Sequence, residues 1–557
     1  MLNDWTTMPD QVDASYTLSA APKFPKFTGT YSLDTEQDEK GGLGEWSIAQ
    51  RDAKGQMQVT PFYGAQNVTL DGTCVMHFAK YDLRVLDAFG MKRPKNVVDT
   101  HIAAYALGLG RQDTKDTGKS GGAMVGGLGL KYLARRHLGL EMKTWQQVKD
   151  QPEIKPEYNA TDSVATLLLW EKWAPILPDH FWKIDMPLLD VLMAMEDRGI
   201  MVDPDFLRKY SEHLDTELAK IELPLNPFSY KEKAEYVYKT LGLPVTKFTQ
   251  NKQPSVDKEV LETIDDPIIR RIIQYMELYK ERGTYVQNYS KGLDENNRLH
   301  CEFKQTSTAT SRLSSARPNL QNVTTSNKSA LRKLFVAPEG KLLVVLDYKK
   351  LEFGVQAAIT KDPTMIEAFL ADKIHQETAD ALGVSYDDGK RINFLIQNGG
   401  DAWKICLDFH IPIDVARKHV ANYYKRFPAI ARYHAQQKAI AKEKREVVNF
   451  FGRKRRLDAM FSEHWKTLRE GEKEAMATPI QGSAAEVVKL AMIDLHYKHH
   501  APMVSQVHDE ILFEVPEKEA KEYAKWLEEY VPKLTEINGI YFPVSVGVGK
   551  NWAEAKH

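Results

Sequence analysis

The stretch Met503-Val-Ser-Gln-Val-His508-Asp509-Glu510-Ile-Leu-Phe-Glu-Val515 constrains this chain more than any other, because two β-rich runs meet there at a His-Asp step. The pattern predicts a hairpin of buried strands with acids at its turn. A second run, Lys341-Leu-Leu-Val-Val-Leu346, reads as another buried strand and ends on Asp347-Tyr348. An acid that ends a strand can simply cap the next turn, but two strand-borne acids can also converge. Bare carboxylates about 4 Å apart repel by about 4 kcal/mol at an effective dielectric of about 20, so such a pair calls for cations. Mg2+ suits oxygen ligands of this kind.

Comparable chemistry is written near the N-terminus. Tyr31-Ser-Leu-Asp34-Thr-Glu36 places two acids on one face of an extended strand. Asp82, in His77-Phe-Ala-Lys-Tyr-Asp82, and Asp162, in Tyr158-Asn-Ala-Thr-Asp162, bring the carboxylates to four. Tyr158 lies one helical turn before Asp162, where its hydroxyl can orient water. Between the two acidic regions, Lys390-Arg-Ile-Asn393-Phe394 and Asn398-Gly399 put Lys390, Phe394 and Asn398 on one helical face: a cation, an aromatic platform and a polar tip.

The 557 residues exceed what one core encloses, so three or four units are expected. Residues 29–175 read as α/β, residues 187–289 as helical, and the remainder as mixed; Arg111 to Gly127 is too polar and glycine-rich for a core element and is expected to be an exposed, mobile loop. No apolar run approaches the ~20 residues of a membrane span. The first 28 residues carry Asp4, Asp10 and Asp13 and no Arg, unlike a transit peptide. Cys74, Cys301 and Cys406 are too scattered for a disulfide framework or a zinc knuckle, so a cytoplasmic location is expected, in a host cell if the source is viral. Lysine plus arginine number 75 against 76 acids, so a nucleic-acid footprint has to be local. Candidate patches are Arg453-Lys-Arg-Arg456, the span between Arg417 and Arg426, and Arg332 with Lys333, although clustered basics are commonly a solvated face.

Taken together and in this order, the motifs resemble those of family A (DNA polymerase I-like) DNA polymerases. Asp347-Tyr-Lys-Lys-Leu-Glu352 is similar to the first catalytic motif of that family, the Lys390 helix to the second, and Gln506-Val-His-Asp-Glu510 to the third. The resemblance implies that Asp347, Tyr348 and Asp509 hold the catalytic metals, with Glu510 a further catalytic acid. It implies that Lys390 contacts nucleotide phosphates with His375, that Phe394 packs on base and sugar, and that Glu352 crowds the sugar's 2′ side; Arg391 and Asn398 complete the expected nucleotide-binding set. Thr308-Ala-Thr-Ser-Arg312 through Pro318-Asn319-Leu-Gln321-Asn322 resembles the template-primer segment, and Pro479-Ile-Gln481-Gly-Ser-Ala-Ala-Glu486 the stretch whose Gln touches the primer-template junction. DNA contacts are thereby implied for Thr308, Arg312, Asn319, Gln321, Asn322, Gln481 and His508, although a helix start after Pro479 also accounts for that Pro-Gly-Ser chemistry. Asp34, Glu36, Asp82, Tyr158 and Asp162 resemble the three motifs of 3′-5′ proofreading exonucleases.

The implied fold is an N-terminal extension (1–28), a ribonuclease H-like α/β exonuclease domain (29–180) and a right-hand α+β polymerase domain (181–557). Within the latter the thumb is expected over about 187–297, the palm over 298–370 and 430–557, and the fingers over 371–429. The implied activity is template-directed DNA synthesis from deoxynucleoside triphosphates with proofreading. Each site would take two Mg2+ ions, or Mn2+; the partners would be primer-template DNA and unidentified replisome proteins, with no membrane. The absence of a 5′ nuclease segment suggests a phage or mobile-element type. Several positions depart from the family pattern: Tyr386 and Gly354 stand where Arg is usual, Asn398 where Tyr is usual, Lys349-Lys350 where Ser-Gln is usual, and Lys473 and Ala477 where Arg and Asn are usual. Lys349, Lys350 or Arg391 are expected to replace the lost point charge. The alternatives are a single-subunit RNA polymerase, which Glu352 and the exonuclease motifs disfavour, and a DNA-binding scaffold with a decayed site, which the retained Asp347, Asp509 and Lys390 disfavour.

Overall fold

The computed structural model describes residues 12–21, 25–37, 41–112, 125–249, 251–323 and 330–556. Its N-terminal part is built on strands β1 (Thr17–Leu18), β2 (Thr30–Gln37), β3 (Leu43–Arg51), β4 (Met57–Tyr63), β5 (Thr73–Met76) and β6 (Asn96–Asp99), which form one sheet in the order β1-β4-β3-β2-β5-β6. Antiparallel pairing joins β2 to β3 and β3 to β4, whereas β5 and β6 run parallel to β2 and to each other. Helices α1 (Ala79–Ala88), α2 (Thr100–Ala106), α3 (Leu130–Leu138) and α4 (Lys155–Trp173) complete a core centred on Tyr31, Trp46, Ile48, Leu133 and Trp173. Two expectations change here. Part of the expected extension joins the sheet, because Thr17 and Leu18 pair with Gln58 and Val59. The expected loop from Arg111 to Gly127 closes at its ends through Gln112 and Val125, and 113–124 lie outside the described residues.

Helix α5 (Met186–Arg198) had been expected to begin the thumb, yet it lies between two cores. Leu188, Val191, Leu192 and Met195 pack into the C-terminal core, and Leu189 and Met193 into the N-terminal core. Spacings of three and four residues make one stripe, and the residues one position on make a second. Beyond it, α6 (Pro204–Ala219) packs Leu207, Tyr210 and Leu214 into the C-terminal core, and α7 (Pro267–Lys280) contributes Ile269 and Ile272 to a small separate core with Val237 and Leu261. Each helix starts with an Asp, Asp203 or Asp266, whose carboxylate caps the free amides ahead of a Pro at the first helical position.

The central sheet of the C-terminal half is antiparallel and four-stranded. It contains β7 (Lys341–Tyr348), β8 (Met503–Val507), β9 (Glu510–Pro516) and β10 (Val544–Gly549), in the order β8-β9-β7-β10. Strand β7 is central and its residues Leu343 to Leu346 are fully buried, which is why it reads as an unbroken apolar run rather than an alternation. A further lobe contains α8 (Leu351–Thr360), α9 (Ile374–Leu382) and α10 (Tyr386–Gln397), packed around Phe353, Ile392, Ile396, Tyr423 and Phe427. Helix α11 (Trp465–His499) crosses behind the sheet. Pro479 sits inside this 35-residue helix, not at a helix start. A proline there removes one backbone donor and crowds the preceding turn; three residues earlier the Tyr433 hydroxyl donates to the Met476 carbonyl at 3.1 Å, tying this part of the helix to a neighbouring one.

Candidate active sites

Strand β7 delivers Asp347 opposite Glu510 of β9. The tight turn before β9 brings Asp509 alongside, with the Tyr348 amide donating to the Asp509 carbonyl at 3.3 Å. His508 adopts a left-handed backbone, φ 56°, that makes this turn possible. Burial, then repulsion from Asp509 and Glu510, raises the Asp347 carboxyl to about 7, with Lys556 and Arg332 only partly offsetting it. Burial likewise raises Asp509. Glu510 behaves differently. Arg332 bonds it at 2.9 Å, the Trp552 indole donates to it at 3.0 Å, and Lys556 pairs with it. Burial opposes its charge, yet Arg332 and Lys556 outweigh that and hold the carboxyl below its usual range. Glu510 is therefore an anchored anion at the floor of the site, whereas Asp347 and Asp509 lack comparable compensation. Lys556 also lies 3.7 Å from Asp347.

Four sequence-marked residues of the N-terminal site take up two positions. Asp34, Glu36 and Asp162 each offer an oxygen, all within 4.8 Å of one another. Asp82 stands behind them: Thr35 donates to it from its amide at 3.0 Å and from its hydroxyl at 2.7 Å. The cause is strand alternation, which turns Thr35 away from the face shared by Asp34 and Glu36. Burial raises every one of these acids; repulsion from the other carboxylates adds to it for Asp34, Glu36 and Asp82, whereas Lys131 and Tyr158 partly offset it for Asp162. Glu36 rises to about 7, Asp162 to about 6 and Asp82 to about 8, and Asp34 is pushed well above its usual range. Two neighbours had no motif to mark them. Asn159 donates to Asp34 at 2.7 Å, and Lys131 pairs with Asp162 while lying 4.2 Å from the centre of the Tyr158 ring. A polar residue one position after Tyr158 and a lysine opening α3 were the available signals.

Helix α10 presents Lys390 and Phe394 to solvent on one face, as the spacing predicted. His375 is buried beside them, its ring 5.7 Å from Phe394 and 5.0 Å from Phe353. Burial first, then Lys350 and Lys390, lowers it to about 4, so it meets a ligand as a neutral imidazole. Arg391 does not join this face. One residue of helix rotation carries it to Asp408, whose carbonyl it reaches at 3.2 Å, and to the Phe409 ring. Asn398 accepts from the Gln481 amide at 2.8 Å, joining α10 to α11.

In the segment before β7, Gln321 donates to the Gln506 carbonyl at 2.6 Å and accepts from the His508 amide at 3.2 Å, which ties it to the hairpin. The Asn319 side chain accepts from the Gln321 amide at 2.9 Å, Asn322 is exposed, and Arg312 is ion-paired with Glu352. Two of the expected basic patches dissolve. Arg332 is buried on Glu510; Arg453 is buried between Asp185 at 2.6 Å and Glu486 at 2.7 Å; and Arg455 bonds Glu474 at 2.8 Å. These cations hold the core together because buried guanidinium groups need carboxylate partners.

Residues 205–554 match the family model described as "DNA polymerase family A", and residues 47–178 match one described as "3'-5' exonuclease". The chain belongs to DNA polymerase family A. It is 30% identical over 533 residues to a DNA polymerase I of Synechocystis, covering 86% of this chain and 53% of the relative. It is 33% identical over 402 residues to the thermostable DNA polymerase I of Thermus aquaticus, covering 67% of this chain and 48% of that one. The chain thus spans about half the length of these curated relatives. The fold matches the POL domain of Pol1 from M. smegmatis, solved with DNA primer-template and dNTP, at a TM-score of 0.80, 23% identity, and 95% and 96% coverage of the two chains. The exonuclease match begins after the strand that carries Asp34 and Glu36.

Several of the departures noted above have defined partners in this family A chain. A Cβ at Gly354 would stand 2.4 Å from the Phe369 ring, so no larger side chain fits without moving that ring. Lys350 does not supply free charge; it bonds the Asp372 carboxylate at 2.6 Å and carbonyl at 2.9 Å. Tyr386 stands with its ring 6.0 Å from His375. Lys473 pairs with Glu470, and its backbone packs on Gly399. Lys390 thus remains the exposed cation on the face of α10.

Proposed function

We propose that this chain extends a DNA primer along a template, using deoxynucleoside triphosphates at the Asp347–Asp509 site, and removes mismatched 3′ ends at the Asp34–Glu36–Asp162 site. Family membership supports the reading, as does the M. smegmatis domain's complex with primer-template and dNTP. One observation carries it: both clusters set buried carboxylates against each other without enough cationic compensation, an arrangement that divalent ions stabilise. Asp347 and Asp509 would hold such ions in the first site, with the Tyr348 carbonyl; Asp34, Glu36 and Asp162 would hold them in the second, with Asp82 behind. Two Mg2+ per site, or Mn2+, would neutralise the charge that develops on the phosphoryl oxygens.

In this reading the protein's own groups do the positioning. Lys390 draws the nucleotide phosphates onto α10, neutral His375 hydrogen-bonds them, and Phe394 stacks against base and sugar. Thr308, Arg312, Asn319, Gln321, Asn322, Gln481 and His508 line the primer-template without reading its sequence. In the second site Tyr158, whose phenol burial keeps protonated, donates toward the attacking water. The palm is read as β7 to β10 with α11, the fingers as the lobe of α9 and α10, and the thumb as α6 and α7. We place the enzyme in the cytoplasm, in replication or repair.

A primed template with Mg2+ and four deoxynucleotides, assayed beside a 3′-mismatched primer, tests the reading. Extension and mismatch excision are expected together; a pure, folded preparation that extends nothing would discard it. Glu352 is read as the group that discriminates against the 2′-hydroxyl. Glu352→Ala is accordingly expected to raise ribonucleotide relative to deoxynucleotide incorporation by about ten- to a hundredfold. Competition between the two nucleotide types measures it, and unchanged selectivity removes Glu352 from that role.

A further inference from the structure

Helix α2 belongs to the exonuclease core, yet it reaches across the junction into the polymerase half. The Tyr105 hydroxyl donates to the Thr308 carbonyl at 2.8 Å, and His101 Nε2 lies 2.9 Å from Thr306 Oγ1. The Thr308 hydroxyl in turn donates to the Arg312 carbonyl at 2.6 Å, and the Arg312 guanidinium pairs with Glu352. Two hydrogen bonds and an ion pair thus separate a phenol of the exonuclease from the residue read as the sugar selector.

The near end of this path is stiff. Tyr105 is 6% exposed, and Arg453 stands 5.1 Å from the centre of its ring, itself fixed by Asp185 and Glu486. The far end is not self-supporting. Ser311 holds φ 62°, a left-handed conformation that side-chain-bearing residues rarely adopt without outside restraint. A cavity of 310 Å3, lined by His101, Ile102, Phe303 and Thr306 among others, adjoins the contact. Close packing is therefore missing on that side, and the hydrogen bonds carry the restraint.

We propose that Tyr105 and His101 are positioning residues for nucleotide selection: the exonuclease domain clasps residues 305–312 so that Arg312 holds Glu352 at the nucleotide's sugar. The clasp rests on the reading of Glu352 given above. It makes sugar selection depend on the exonuclease scaffold while remaining independent of exonuclease chemistry.

Tyr105→Phe removes one oxygen and keeps the ring. Its KM for deoxynucleotides and its ribonucleotide-to-deoxynucleotide ratio should each rise about three- to tenfold, with kcat little changed. Excision of single-stranded DNA and the melting temperature should match wild type. His101→Gln, which can still bond Thr306, should lie nearer wild type than His101→Ala; this pair gives the same comparison should Tyr105→Phe fold poorly. Wild-type KM and sugar ratio in variants that still excise would overturn the clasp. Unchanged sugar selection in Glu352→Ala would refute the role of Glu352 and with it the clasp's route to the sugar, whereas a raised ratio in Glu352→Ala beside a wild-type ratio in Tyr105→Phe would overturn the clasp alone.

Discussion

Asp347→Asn will lose primer extension by about a thousandfold or more, while excision of single-stranded DNA stays within about twofold of wild type. The split follows from geometry. Asp347 lies at the end of a central strand of one sheet, whereas Asp34 and Glu36 stand on another sheet and Asp162 on a helix packed against it, with a core of their own. The change from carboxylate to amide keeps the side chain's size, and Glu510 keeps Arg332, Trp552 and Lys556, so the floor of the site is preserved. Stability supplies an independent check. Asp347 rises from an ordinary value of 3.8 to about 7 on folding. The folded chain therefore holds this proton more tightly than the unfolded chain, and ionisation costs stability as pH climbs from about 4 to about 7. In chelator at pH 8 the Asn variant should melt at or above the wild-type temperature, with the advantage shrinking toward pH 4. Retained extension, or a lower melting point at pH 8, would contradict the site.

Much of this was legible because burial and function share a sequence pattern. Strand β7 and the β8–β9 hairpin are marked by apolar runs, and their acids stand where those runs stop. The period of α10 showed that Lys390 and Phe394 share a face. What escaped was set by partners distant in sequence. Nothing local says that Arg332, 178 residues away, lies on Glu510, or that Tyr105 reaches Thr308 across 203 residues. Clusters such as Arg453 to Arg456 look alike whether they face DNA or a buried carboxylate, since only the three-dimensional partner distinguishes them.

Arg391 and Lys350 show a limit of the family resemblance. Both were expected to replace a missing guanidinium, and both are engaged elsewhere, Arg391 by Asp408 and Phe409 and Lys350 by Asp372. With Gly354 closed by Phe369, the α10 face that we read as nucleotide-binding carries less fixed positive charge than the family pattern would provide. A single exposed lysine attracts phosphate as a point charge without the bidentate geometry of a guanidinium.

Asp34→Ala, conversely, will reduce mismatch excision about a thousandfold or more and leave extension within about twofold. Asp34, Glu36 and Asp162 lie within 4.8 Å of one another, and burial together with the other acids pushes Asp34 far above its usual range. Such a group is costly to the folded chain unless a cation or proton occupies the site, so its removal need not weaken the fold. Asp162 keeps Lys131 and Asp82 keeps Thr35, which limits the damage to the metal face. A ligand that binds only the folded protein raises its melting temperature. Mn2+ should therefore stabilise wild type more than Asp34→Ala at pH 8, a difference that DNA-free melting curves can read. Excision that persists in a preparation cleared of contaminating nuclease, or equal Mn2+ stabilisation of the two proteins, would mean that these three carboxylates are an acidic cluster and not a proofreading centre.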